Sequence, residues 1–232
     1  MKIVNTLCAL MFRYSKYLVA IASLLCTAIA SSASETAPVM QPSTCKMPHY
    51  PDRAHKLERD GVSVLGFLIR PDGTVSRAIV LSSSGSADLD LAARNALSRC
   101  QFKHPASSDH TGDVWTRVSY LWSFEDDPGM GRAKQAAALG ARTGKLADLY
   151  HLSLLLSMTA KTDIEREQAM VVLRNAAERG HAQAQFDLGD RYEKGKDLKA
   201  NLDEAIRWYQ KSAEQDDPLA IQRMKQLEPS NP

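Results

Sequence analysis

Between Ala133 and Ala213 the chain repeats itself at an interval of 36 residues, and that interval restricts the fold more than any other feature of the sequence. Ala141-Arg142-Thr143-Gly144 returns as Ala177-Glu178-Arg179-Gly180 and again as Ala213-Glu214-Gln215-Asp216. Ala133, Ala169 and Ala205 keep the same spacing, as do Tyr150 with Phe186 and Leu152 with Leu188. After Asp126-Asp127-Pro128-Gly129 no strand pattern remains, and Ala, Leu, Glu and Lys dominate. A period in the mid-thirties indicates two-helix units that stack because neither helix buries its apolar face alone. Little more than two units fit between residues 130 and 228, so they are expected to lean on the preceding segment as a cap.

That preceding segment has a different grammar. Val62 to Ile69 is rich in β-branched and apolar residues, Pro71-Asp72-Gly73 is turn chemistry, and Val75 to Leu81 resumes the apolar run, which predicts a hairpin. Ser82-Ser83-Ser84-Gly85 ends it. A helix follows, with Ser86 as its N-cap, Asp88 and Asp90 in its first turn, and an apolar stripe of Leu89, Ala93, Ala96, Leu97 and Cys100. Residues 101–113 read as a polar loop. Val114 to Phe124 reads as a third strand in which Val114, Val118, Tyr120, Trp122 and Phe124 should face that helix. The fold class expected is α+β: a small antiparallel three-stranded sheet with helices on one face, followed by an all-α repeat domain.

The first 30 residues read as a secretory signal, with Lys2, Arg13 and Lys16 ahead of an apolar run from Tyr17 to Ala30 and a small-residue cleavage site at Ala28-Ile29-Ala30. An uncleaved signal-anchor is the alternative, and membrane association is expected only in that case. Residues 31–44 are small, polar and punctuated by Pro, which suits a linker. Removing the three leader cations leaves 26 basic residues against 27 acidic ones, which provides no electrostatic footprint for nucleic acid. Cys8 and Cys26 would leave with the leader, so the exported chain would keep Cys45 and Cys100. An even pair in an oxidising compartment suggests a disulfide, against the reading of two separate buried thiols.

Two resemblances follow from particular residues. Pro48-x-Tyr50-Pro51, Gly61 with Phe67-x-Ile69, Asp72-Gly73-x-Val75, Ser83-Ser84-Gly85, Leu89-Asp90-x-Ala92-Ala93 and Trp115 with Tyr120 and Phe124 resemble the TonB C-terminal domain over residues 45–125. This resemblance implies a three-stranded antiparallel sheet with two helices on one face. Ala182-x-Ala184-x-Phe186-x-Leu188-Gly189-x-x-Tyr192, continuing through Asp203, Ala205, Trp208-Tyr209 and Ser212-Ala213, is similar to the Sel-like repeats, relatives of the tetratricopeptide family. In the copy at 144–180, Ser153 replaces the helix glycine and Val172-Leu173 replaces the Trp-Tyr pair. The functional His of a TonB energy transducer's membrane helix and its long Pro-rich spacer are not matched.

Catalytic constellations are missing from the pattern, and no cofactor, metal or enzymatic activity is expected. Ser43-Thr44-Cys45-Lys46 fits S-x-x-K formally but lacks its partner motifs. His104, Asp109, His110 and Asp113 read as loop polarity rather than metal ligands. The expected partner-binding residues are those of the third strand as a sheet edge: Val114, Arg117, Val118, Tyr120 and Trp122. Tyr192 and Tyr209 are the expected repeat-surface residues. The function expected is a periplasmic adaptor holding other envelope proteins or peptides. The alternatives are a membrane-anchored accessory of energy transduction, facing the periplasm and touching an outer-membrane transporter, and a cell-wall-related hydrolase.

Overall fold

The computed structural model describes residues 37–105, 112–123 and 131–228. The leader and its cleavage site, Asp109, His110 and Phe124 lie outside the described residues. Among the described residues there are five strands and eight α-helices: β1 (Val39–Met40), α1 (Asp52–Lys56), β2 (Gly61–Ile69), β3 (Val75–Ser82), α2 (Ala87–Leu97), β4 (Phe102–Lys103) and β5 (Val114–Trp122) come first. The helices α3 (Gly131–Arg142), α4 (Leu146–Thr159), α5 (Asp163–Glu178), α6 (Ala182–Lys194), α7 (Leu202–Ala213) and α8 (Pro218–Leu227) follow.

The principal sheet is antiparallel in the order β3-β2-β5, and β2 and β5 run in unbroken register from Gly61↔Trp122 to Ile69↔Val114. β2 is central, and almost all of it is buried because both of its faces are covered. Leu65, Phe67 and Ile69 pack with Leu89, Ala93 and Leu97 of α2, while Val62 and Val64 pack with Ala133, Ala137, Tyr150 and Leu155 of the helical region. A strand covered on both faces loses the polar alternation of a half-buried one, which explains the continuous apolar run in the sequence. The cap expected for the repeats is therefore the second face of this sheet.

The β2–β3 turn depends on Gly73. Its φ is +82°, and a Cβ there would lie 2.2 Å from the Phe102 carbonyl oxygen. Phe102 donates its N–H to the Gly73 carbonyl at 2.9 Å, which ties the turn to β4. β4 pairs in turn with β1, a two-residue ladder that strand patterning is too short to reveal. A disulfide joins Cys45 to Cys100, with Cα atoms 4.7 Å apart, and fixes the entering segment to the end of α2. Ser86 occupies the N-cap position of α2 but makes no capping bond with its side chain. Asp90 in the first turn accepts from the segment before the helix and from the sheet: the Ser84 N–H at 2.9 Å, Ser63 Oγ at 2.7 Å and Ser83 Oγ at 2.5 Å. This buried carboxylate ties the centre of the sheet to the start of the helix.

The 36-residue interval has a backbone cause. Gly144, Gly180 and Asp216 all have positive φ, at 87°, 94° and 61°. Each follows a helix end whose next N–H bonds back to Gly140, Ala176 or Ser212. A left-handed residue at this position closes the helix and reverses the chain. Helices α3, α5 and α7 are thus equivalent, as are α4, α6 and α8. In the best copy a Cβ on Gly189 would meet the Tyr209 ring at 2.8 Å, so the absence of a side chain sets the approach of α6 to α7.

Two stability outcomes are expected from these contacts. Gly189→Ala should lower the stability of the chain by about 1–3 kcal/mol through overpacking, measured by thermal or urea unfolding. The disulfide closes a 55-residue separation, and the Cys45→Ser/Cys100→Ser variant should lose about 4 kcal/mol on the loop-entropy relation. Unfolding of the oxidised wild type and of the variant under identical conditions measures that difference.

Candidate functional site

β5 is an edge of the sheet, and its alternation decides what each residue can offer. Trp115 bonds Gln222 of α8 through both its N–H and its C=O, so these two groups point away from β2. In an antiparallel ladder the outward and inward residues alternate. The backbone groups of Arg117, Ser119 and Leu121 therefore also point outward, and those of Val114, Thr116, Val118, Tyr120 and Trp122 pair with β2. Among the described residues nothing beyond the ladder bonds the backbone of Arg117, Ser119 or Leu121. Ser119 is exposed.

Of the residues expected to contact a partner, Val118 and Tyr120 are half-buried on the α2 side of the sheet. Val114 and Trp122 are buried, and the Trp122 indole N–H donates to Ser63 Oγ at 3.0 Å, so neither side chain is available to a partner. Arg117 is committed internally as well. It pairs with the Asp187 carboxylate, donates to Tyr150 Oη at 3.3 Å and lies over the Phe186 ring at 5.5 Å. Tyr150 Oη donates to the same carboxylate at 2.9 Å.

These contacts form a row. Tyr150, Phe186 and Gln222 occupy the same repeat position on α4, α6 and α8, and all three meet the side of β5 carrying Trp115 and Arg117. This row of the repeat array meets the protein's own sheet. Tyr209 is a correction: it is fully buried, its hydroxyl donating to Glu193 at 2.8 Å, because its ring fills the space that Gly189 leaves. Tyr192 packs half-buried on the helical core. Trp208 is the partly exposed member of the Trp-Tyr pair, with Lys211 Nζ 4.2 Å from its ring centroid. A concavity of about 600 Å³ lies elsewhere, along α5 from Asp163 to Glu178 and against Asp197 and Leu198.

Burial sets the electrostatics at the sheet–repeat junction. His151 bonds Ser82 across the junction, its Nε2 lying 2.9 Å from the hydroxyl. Burial, reinforced by the neighbouring His181 and opposed by Asp90, pushes the His151 pKa down to about 4. His181 stacks on Tyr150, with centroids 4.5 Å apart, and burial brings its pKa down to about 4 too. Burial alone would make Arg117 easier to deprotonate, but Asp187 and Tyr150 outweigh it and raise its pKa. Burial raises the pKa of the Asp217 carboxyl, whose Oδ2 accepts from Gln183 and Ser212 at 2.9 Å each.

No group of His, Cys, Asp and Glu among the described residues could hold a metal. His104 bonds the Arg70 carbonyl at 2.8 Å, and Asp113 accepts from Ser76 at 2.8 Å, so both tie the loop to the β2–β3 hairpin. No described helix is long and apolar enough to cross a membrane. Sequence reasoning missed His151, His181, Asp187 and Gln222. The interval that pairs Tyr150 with Phe186 also leads to Gln222, and that which pairs His151 with Asp187 marks a polar row.

Residues 46–124 match the family described as the Gram-negative bacterial TonB protein C-terminal, and residues 182–217 match the Sel1 repeat. The chain thus joins a TonB C-terminal-like domain to Sel1-type repeats, and both modules support a protein-interaction role in envelope processes. Among curated proteins, DAP3-binding cell death enhancer 1 of Rattus norvegicus is 33% identical over 101 residues, 44% of this chain and 19% of that protein. The chain therefore spans less than a fifth of that relative's length. Two solved structures are similar over parts of the chain. A Sel1 repeat protein from Oxalobacter formigenes has 26% identity and a TM-score of 0.35, covering 37% of this chain and 25% of that one. The Pseudomonas aeruginosa TonB C-terminal domain has 23% identity and a TM-score of 0.30, covering 39% and 88%.

Arg117→Met should cost about 3–5 kcal/mol, because it leaves the Asp187 carboxylate buried without its cation. Urea unfolding checks this, and the Arg117→Met/Asp187→Leu double variant should recover most of the loss. The two histidines predict a pH dependence. Their folded pKa of about 4 lies below the ordinary 6.5. Their neutral forms therefore support the fold above pH 6.5, and that support is lost as pH falls from about 6.5 towards about 4. The loss should reach a few kcal/mol, and unfolding series across this range should show it flattened in His151→Gln/His181→Gln.

Proposed function

We propose that this protein is a periplasmic adaptor that holds an extended segment of another envelope protein along the outer edge of β5. The observation that carries the reading is the outward backbone of Arg117, Ser119 and Leu121, on a strand whose inner side is fully paired with β2. Such an edge accepts a partner strand by β-augmentation, in which main-chain bonds supply affinity and flanking pockets supply selectivity. Edge strands that merely avoid aggregation carry charges, Pro or bulges. Here the one charged side chain of β5, Arg117, is folded inward onto Asp187 and does not guard the edge.

The TonB C-terminal-like domain and the expected export signal support the periplasm as the setting, with Cys45–Cys100 suited to an oxidising compartment. The Sel1-type helices act here as a brace: they cover the second face of the sheet and hold β5 in place. A second reading, an anchored accessory meeting an outer-membrane transporter through the same strand, differs only in whether the leader stays attached. N-terminal sequencing of the mature protein separates the two.

Backbone alternation selects the variant for the test. Val118→Pro would remove an N–H that pairs with β2 and break the fold. Ser119→Pro removes an outward N–H and should leave the sheet intact. Ser119→Pro is expected to unfold within a few degrees of wild type and to lose at least tenfold in affinity for a partner recovered from envelope extract. Equal binding by both proteins would show that the edge is not the docking surface.

A further inference from the structure

The primary amide of Gln222 carries the same donor and acceptor as a peptide group. From α8 it directs both at one residue: Oε1 accepts from the Trp115 N–H at 2.6 Å, and Nε2 donates to the Trp115 carbonyl at 3.2 Å. Those are the two bonds that a residue of an added antiparallel strand would make with Trp115. One side chain thus stands in for one residue of a fourth strand. Its placement is built into the fold. Pro218 starts α8, and the Asp217 side chain caps it through the Leu219 N–H at 3.0 Å. That carboxylate is anchored in turn by Gln183 and Ser212, and the next residue after Gln222, Arg223, is bound to Glu193 of α6. The edge beyond Trp115 has no comparable occupant among the described residues.

We infer that α8 is a built-in stop on the strand-accepting edge. It fills the Trp115 position, restricts an incoming extended segment to the outward residues Arg117, Ser119 and Leu121, and must lift before a longer segment can pair. The inference rests on the reading of β5 as that edge. It adds where pairing begins and which element of the chain competes for it.

Residue-resolved amide exchange on the full chain tests it, with a synthetic octapeptide of alternating Thr and Val as the probe strand. In the wild type alone, the Trp115 amide should be protected and that of Ser119 should exchange freely. Added peptide should protect Arg117, Ser119 and Leu121 and leave Trp115 unchanged. In Gln222→Ala, Trp115 should exchange roughly tenfold faster without peptide, and with peptide its protection should return while affinity rises roughly tenfold. Gln222→Glu keeps an acceptor but no donor, and should retain part of the Trp115 protection without peptide. Equal Trp115 exchange in wild type and Gln222→Ala overturns the stop, as does peptide protection of Trp115 in the wild type. A peptide that protects no β5 amide in any of the three proteins overturns the edge reading and the stop with it. In that outcome a Trp115 exchange rate that still depends on Gln222 identifies α8 as edge protection alone.

Discussion

The sheet is covered on both faces, and Arg117 ties it to its second cover. β2 sends Leu65, Phe67 and Ile69 into one core and Val62 and Val64 into the other. Without the helical array, the second set would face water. The Arg117–Asp187 pair, with Tyr150 bonded to both partners, is the polar centre of that contact. A buried pair of this kind adds little net stability over an apolar substitute, but it tolerates only one arrangement of its partners. It links α4 and α6 to Arg117 of β5, beside the row Tyr150, Phe186 and Gln222 that lies along the strand.

That arrangement decides which positions of the repeats are covered. Stacked helical hairpins usually offer one face of the array to a ligand. In this chain the equivalent positions on α4, α6 and α8 meet the sheet, while β5 keeps outward backbone groups at Arg117, Ser119 and Leu121. The same packing explains the two low histidine pKa values. His151 and His181 line a junction where water is excluded, so a proton on either would lose its hydration, and at His151 the neighbouring His181 adds to that cost more than Asp90 relieves it.

The amino-acid sequence by itself determined the local structure and the repeat. Pro71-Asp72-Gly73 specified the β2–β3 turn, because Gly73 alone tolerates the positive φ and the approach of the Phe102 carbonyl. The 36-residue interval followed from left-handed residues at 144, 180 and 216, which close one helix and reverse the chain towards the next. Residue type and short-range spacing carry both signals, so no distant contact is needed to read them. Only the tertiary structure decided which surfaces remain open. Arg117 and Tyr209 look like surface residues in one dimension, yet one is paired with Asp187 70 positions later in the chain and the other fills the gap over Gly189. Gln222 reaches Trp115 across 107 positions. Such pairings depend on how the helical array turns back over the sheet, and side-chain periodicity within either segment does not encode that path.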